Sequence, residues 1–238
     1  MSEAVWVVIP CYNEEGNMTP LLEKLEEVLT SQGFADWRIL CVNDGSRDGT
    51  KGEIEGEQGR FGNIVRLDHA QNRGFAQAIR TAVHFLLQQT LDFAIFMDAD
   101  FTHDPEHLPR FRQAFDSGAE VVIGSRYVAH GGMVNVALWR RVLSRAGNLF
   151  GQMMGLPVRD ATSGYRGFSR RGLEVIAGTK EEDFSIQLEE VLLCKRAKLR
   201  FAEVPITLKV REVGISKFSY SFALFRRYGA LLLRNLRG

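Results

Sequence analysis

The sequence predicts an α/β fold with a mostly parallel central sheet covered by helices on both faces. Short, strongly apolar runs alternate with helix-patterned segments over the first half of the chain. The runs are nearly continuous in apolar residues, as for strands buried on both faces. Three of them end in polar clusters, "PCYNEE", "NDGS" and "DAD". In parallel sheets, ligands bind beyond the carboxyl ends of the strands, so these three clusters belong to one crevice.

The elements follow in order. "VWVVIP" (5–10) is a buried strand, and "MTPLLEKLEEVLTSQ" is an amphipathic helix with Leu21, Leu22, Leu25 and Leu29 on one face. "WRILCV" (37–42) is a second strand, followed by the turn-like "NDGSRDGT". "IVRLD" (64–68) is a third strand, "GFAQAIRTAVHFLLQQ" a helix, "FAIFM" (93–97) a fourth strand and "EVVIGSR" (120–126) a fifth. Beyond residue 130 come a basic amphipathic stretch (138–153), "DATSGYRGF", the helical "FSIQLEEVLLCKRA" and the strand-like "FAEVPITLKV". No Pro/Gly/Ser-rich linker divides the chain. The expected organisation is one α/β domain over 1–215 that includes the 138–153 helix, then a basic amphipathic helix over 216–238.

Composition bounds the function. The 238 residues are 45% apolar and 25% charged, with net charge +1, so no global field recruits nucleic acid. Cys11, Cys41 and Cys194 are odd in number and widely spaced, which fits packing thiols in a reducing compartment. The start "MSEAVWVVIP" lacks a basic n-region, and no window reaches the ~20 apolar residues of a spanning helix. The expectation is a cytoplasmic chain that is soluble or lies on a membrane.

The densest chemistry is "FMDADFTHDPEH" (96–107). Period two at a strand end puts Asp98 and Asp100 on one side. Two carboxylates that close call for a cation, and Mg²⁺ or Mn²⁺ suits oxygen ligands with a substrate diphosphate completing the shell. Asp104 and Pro105 read instead as a helix start. His103 and His107 lack an HExxH context, so an exposed helix terminus accounts for them. "SRRG" (169–172) reads as a solvated turn. The GxGxxG of a dinucleotide enzyme is missing after the first strand, where "IPCYNEEGN" stands.

In this order, "VVIPCYNEEGN", "VNDGSRDGT", "NRGFAQAI", "MDADFTHDPE", "GSR", "DATSGYRGF", "QLEE" and "VPITLKVREVGISK" resemble family 2 glycosyltransferases of the GT-A fold, a Rossmann-like nucleotide-sugar-binding fold. Within that family the chain is most similar to dolichyl-phosphate and polyprenyl-phosphate mannosyltransferases and glucosyltransferases. The resemblance runs from Val5 to about Lys217.

It implies metal-dependent, inverting transfer of a hexose from a GDP-mannose or UDP-glucose type donor to a polyprenyl phosphate. Carried over by position, Pro10, Tyr12 and Glu14 line the nucleotide, with Val42 and Asp44 beside the base. Asp98 and Ala99 meet the ribose or sugar, Asp100 the metal, and Arg126 the donor. Arg211 and Lys217, on either side of Gly214, clamp the diphosphate in a loop that closes over it. Gln187 and Glu189 match a Q-x-E near the sugar, and Arg140 and Ser144 hold the lipid phosphate. Two positions depart from the pattern. Asn43 replaces the first aspartate of D-D, and Thr102 replaces the glutamine of D-A-D-L-Q, leaving water held by Thr102 as a substitute metal ligand.

A phosphate acceptor is already an anion and needs no general base; a hydroxyl acceptor would recruit one, with Asp183 and Glu190 as candidates. The competing readings are that hydroxyl-acceptor transferase and a nucleotide-sugar-binding protein without turnover. The membrane expectation rests on two stretches. In 138–153, Trp139, Val142, Leu143, Ala146, Leu149, Phe150 and Met153 share a face, and no acid occurs between Met133 and Arg159. The tail repeats this with Phe218, Phe222, Phe225, Leu232 and Leu236, and with Arg226, Arg227, Arg234 and Arg237 apart from them. Each stretch also suits a core helix with basic edges. Two acid-free basic helices favour peripheral binding at the cytoplasmic face of an anionic membrane, with a place for a small membrane-protein partner.

Overall fold

A computed structural model describes residues 4–209 and 227–233. Arg211, Gly214, Lys217 and most of the tail, including Phe218, Phe222, Phe225, Arg226, Arg234, Leu236 and Arg237, lie outside the described residues.

The elements are β1 (Ala4–Cys11), α1 (Met18–Ser31), β2 (Asp36–Asn43), α2 (Thr50–Arg60), β3 (Ile64–Asp68), α3 (Phe75–Leu86), β4 (Phe93–Phe96), α4 (Leu108–Asp116), β5 (Val121–Ser125), β6 (Gly132–Met133), α5 (Leu138–Met153), β7 (Arg166–Ser169), α6 (Arg170–Ile176), α7 (Ile186–Arg196), β8 (Phe201–Pro205) and β9 (Thr207–Leu208). Residues 227–233 are helical. Among the described residues, one sheet has the strand order β3-β2-β1-β4-β7-β5-β8, and β6 pairs with β9 beside it. The large sheet is parallel except for β7, which runs antiparallel to β4 and β5.

The continuous apolar runs are buried on both faces, as their composition requires. Trp6 and Val8 of β1 face a core shared with α3, α6 and α7. Val5, Val7 and Ile9 face the opposite core, shared with α1 and α4. On α1 the predicted stripe of Leu21, Leu22, Leu25 and Leu29 is buried. Each such side chain contributes about 1.5–3 kcal/mol relative to exposure.

Several short elements escaped the sequence reading, among them α2, β6, β7 and α6. Helix α2, "TKGEIEGEQGR", carries three glycines and buries one large apolar side chain, Ile54. It is held by its neighbour α1, because Glu53 accepts the backbone amides of Gly16, Met18 and Thr19 at 2.6, 3.1 and 3.3 Å. Strand β7 is too short and too polar for periodicity to detect. Gly167 is required there, since a Cβ would come within 2.9 Å of the Phe115 ring. "SRRG" is not a solvated turn: Ser169 ends β7 and caps α6 by accepting the Gly172 amide at 3.2 Å.

Arg166 of β7 is fully buried, beside Phe96 of β4 and Ile123 of β5. Its guanidinium lies 3.0 Å from the carboxylate of Glu190 on α7, which is equally buried. Neither group makes a hydrogen bond with another described residue. Removing one partner of such a pair strands a charge in the core, whereas replacing both with apolar groups is close to neutral. We therefore expect Glu190→Ala to cost about 3–5 kcal/mol in urea unfolding, and Arg166→Met with Glu190→Leu to recover most of it. A single-variant loss below ~1 kcal/mol would show that the pair is not held as an ion pair.

Candidate active site

The carboxyl ends of β1, β2 and β4 open into one cavity of about 660 Å³. Pro10, Tyr12, Glu14, Asp44, Asp98, Ala99, Asp100 and Arg126 line it from the strand ends and the loops that follow them. Leu143, Phe150 and Gly151 of α5, Leu188 of α7, and Tyr228 and Leu232 add apolar lining. Strand register makes the convergence: Cys11 lies opposite Asn43 across β1 and β2, and Val8 lies opposite Phe96 across β1 and β4. The two loops after β1 and β2 are stitched together. Asn13, in a left-handed conformation (φ 51°), donates its amide to Ser46 Oγ at 3.0 Å and accepts the Arg47 amide at 2.9 Å.

Asp44 faces the cavity, but its oxygens organise the chain before α3. Oδ1 accepts the Arg73 amide at 2.8 Å and lies 2.6 Å from His69 Nδ1, while Oδ2 accepts the Gly74 amide at 2.8 Å. The other His69 nitrogen lies 2.9 Å from Thr81 Oγ1. Gly74 adopts φ 89° there, a conformation other residues rarely take. Asn43 is buried, donates to Asp68 at 2.8 Å and accepts the Ser46 amide at 3.1 Å; it is not on the cavity wall. Glu14 is buried and accepts from Asn17 Nδ2 at 3.0 Å.

Asp98 and Asp100 do not extend β4 with a strand period. They sit in the turn after it, and the next residue, Phe101, has φ 59°. Such a conformation in a non-glycine residue stores strain and clusters at functional sites. Asp100 Oδ1 accepts both the amide of Thr102 (3.1 Å) and its hydroxyl (2.6 Å). Thr102 therefore spends its hydroxyl hydrogen on Asp100, fixing the carboxylate that the sequence associates with a metal.

His103 is a correction. It is not an exposed helix-terminal residue but is 3% exposed, stacked on the Tyr165 ring at 4.9 Å. Its Nδ1 accepts the Asp98 amide at 3.1 Å and stands 3.6 Å from Asp98 Oδ2. Burial pushes the imidazole down to about 4, so the ring is neutral near pH 7. His107 is buried too. Asp104 caps the 3-10 turn Pro105–His107 as the sequence suggested.

Arg126 is gripped by Asp160, a residue the sequence reading did not single out. Nε and Nη2 meet its two carboxylate oxygens at 2.6 and 2.5 Å, and the Arg126 amide adds a third bond at 3.0 Å. Asp160 is fully buried and opens the "DATSG" loop. Gly164 of the same loop packs on Asp98, where a Cβ would lie 3.2 Å from Oδ1.

The remaining expected residues divide. Gln187 and Ser144 line the cavity. Glu189 does not; it accepts the amides of Lys180 and Glu181, each at 2.8 Å, pinning the loop before α7. Val42 is a core residue of β2. Arg140 is exposed on the first turn of α5, 5.2 Å from the Trp139 ring centroid, and off the cavity wall. Neither Asp183 nor Glu190 lines the cavity.

Among the described residues, no three histidine, cysteine or acidic side chains gather as a metal cage. Of the carboxylates on the cavity wall, Asp98 and Asp100 stand one residue apart after β4, whereas Glu14 and Asp44 accept from Asn17 and from the Gly74 amide. Two carboxylates, one held in place by Thr102, fit a hard divalent cation that completes its shell with substrate oxygens and water.

Residues 6–176 match the family model described as Glycosyl transferase family 2. The chain is 33% identical over 220 residues to the polyprenol monophosphomannose synthase of Mycolicibacterium smegmatis, spanning 90% of this chain and 81% of that protein. It is 33% identical over 218 residues to the undecaprenyl-phosphate mannosyltransferase of Micrococcus luteus, spanning 90% and 87%. The glucosyl-3-phosphoglycerate synthase of Mycobacterium tuberculosis, solved with Mn²⁺, uridine diphosphate and phosphoglyceric acid, superposes with a TM-score of 0.69. It shares 16% identity and is matched over 98% of this chain and 78% of its own, so the likeness is one of fold. The family drawn from eight ordered motifs and the strand-end cavity thus coincide: the chain belongs to glycosyl transferase family 2 and is a glycosyltransferase of the GT-A fold.

Proposed function

We propose that the protein transfers mannose from a nucleotide-sugar to a polyprenyl phosphate at a membrane surface, with inversion and with Mg²⁺ or Mn²⁺ bound. The observation that carries this reading is the shape of the cavity. Carboxylates from the strand-end loops and apolar residues of α5, α7 and the helix 227–233 line one space. An acceptor that is a phosphate at its head and a hydrocarbon behind needs both. The names of the two bacterial relatives point the same way.

The residues divide the work. Asp98 and Asp100 would hold the cation, and a bound divalent ion supplies positive charge to the departing diphosphate. Thr102 fixes the orientation of the Asp100 carboxylate, and His103 anchors the backbone of Asp98. Arg126, anchored by Asp160, places a permanent positive charge on the cavity wall, where negative charge develops. Arg211 and Lys217, outside the described residues, are proposed to add to it. With Asp183 and Glu190 off the cavity, an acceptor already anionic at neutral pH is the better match, since it attacks without a general base. Attack opposite the leaving group inverts the anomeric carbon.

Helix α5 supports the membrane part of the reading. Leu138 and Met153 are 72% and 78% exposed, and Trp139, Val142, Leu149 and Phe150 are all more than half exposed. Arg140, Arg141 and Arg145 are exposed on the same helix. Apolar side chains flanked by arginines lie in membrane interfaces, each arginine adding on the order of 1 kcal/mol near an anionic surface. Among the described residues, no helix is long and apolar enough to cross a membrane. The proposed association is therefore peripheral.

Two outcomes are expected. Asp100→Asn, nearly isosteric, should keep the fold by circular dichroism and lower turnover on the order of a thousandfold, and EDTA should abolish wild-type turnover. Near-wild-type rates in either case would remove the metal from the reading. The protein should also sediment with anionic liposomes at low salt and release at high salt, with Arg140→Ala raising the KM for polyprenyl phosphate far more than for donor. Indifference to anionic liposomes together with unchanged acceptor kinetics favours the hydroxyl-acceptor transferase.

A further inference from the structure

Helix α5 shows most of its large apolar side chains to solvent and is tied to the rest of the protein in good part through polar ones. Its two buried residues are Asn148 and Gly151. Asn148 Oδ1 accepts the Ala161 amide at 3.0 Å, and Nδ2 donates to the Ser144 carbonyl at 3.1 Å and to Thr162 Oγ1 at 3.4 Å. Arg126 Nη2 donates to the same Thr162 oxygen at 3.3 Å. A second contact runs in parallel: the Tyr127 hydroxyl donates to Ser144 Oγ at 2.7 Å, and the Arg126 guanidinium lies 5.3 Å from the Tyr127 ring centroid. The helix with the exposed apolar side and the cation on the cavity wall thus share one hydroxyl, on the loop that also carries Asp160.

An apolar residue in this place would pack α5 without specifying its register. A buried amide with partners on both its oxygen and its nitrogen specifies register and orientation, because the wrong position leaves polar groups unpaired. Where the apolar side faces water its burial does not fix α5, and among the described residues these hydrogen bonds, with the close approach of Gly151 to Leu156, hold it. Seating the same side on lipid adds a second restraint on the same body.

We propose that Asn148 and Thr162 are positioning residues that hold helix α5, which carries the proposed acceptor-phosphate residues Arg140 and Ser144, in place against the Arg126 loop, so that seating α5 on an anionic lipid surface and binding the phosphate of the acceptor reinforce one another. The inference rests on the polyprenyl-phosphate reading above. Coupling of this kind is reciprocal: lipid must tighten acceptor binding by the factor by which acceptor tightens lipid binding, commonly about five- to a hundredfold.

The test uses the full chain, a five-carbon prenyl phosphate too short to partition into a bilayer, and vesicles of mixed phosphatidylglycerol and phosphatidylcholine. Calorimetry gives acceptor affinity with and without vesicles, and sedimentation gives vesicle affinity with and without acceptor. For the wild type both ratios should be equal and at least about fivefold. Thr162→Val, which keeps the shape and removes the shared oxygen, should bring both ratios close to one, as should Asn148→Ala. Thr162→Ser, which restores the oxygen, should return them. Lower thermal stability alone, with the ratios unchanged in Thr162→Val, overturns the coupling and leaves a purely structural loop. A wild-type ratio of one overturns it as well. If the wild type binds no prenyl phosphate with or without vesicles, the acceptor reading itself fails, and the coupling with it.

Discussion

The active site depends on where the loop 160–165 is held, and that is decided by β7. This strand enters the sheet antiparallel between β4 and β5. It therefore delivers the loop before it to the carboxyl end of β4, where Asp98 and Asp100 stand. From that position Asp160 grips Arg126, Gly164 packs on Asp98 and Tyr165 stacks under His103. A parallel strand at this place would deliver the preceding loop to the opposite edge.

The carboxylates are accordingly fixed by neutral or compensated neighbours. His103 is kept uncharged by burial and offers Asp98 a backbone anchor, without a competing ion pair. Thr102 holds Asp100 by a hydroxyl. Positive charge enters through Arg126, whose partner Asp160 is fully buried, so the guanidinium is oriented before a substrate arrives. In the proposed transfer, preorganised charge of this kind would lose little to reorganisation as the leaving group departs.

The same loop links Arg126 on the cavity wall to α5. Through Asn148 it carries a helix whose large apolar side chains face outward, an arrangement that costs stability in water and is useful where a lipid surface is present. The polar seam between helix and body is what allows an outward apolar side without loss of register.

The sequence by itself determined the α/β alternation, the burial of β1 on both faces, the α1 stripe, the carboxylates at the strand ends and, through eight ordered motifs, the family. These are local or additive signals: periodicity within one element, or residue types at short spacing. Tertiary structure decided the rest. Helix α2 forms because Glu53 reaches the first amides of α1, and β7 forms because two strands from either side pair with it. His103 is buried because Tyr165, distant in sequence, covers it. Glu189 leaves the cavity because the amides of Lys180 and Glu181 need an acceptor. In α5 the pattern gave the apolar face but not its direction, since periodicity records which residues share a side and not what that side meets. What it meets is set by contacts far apart along the chain, which only the folded molecule brings together.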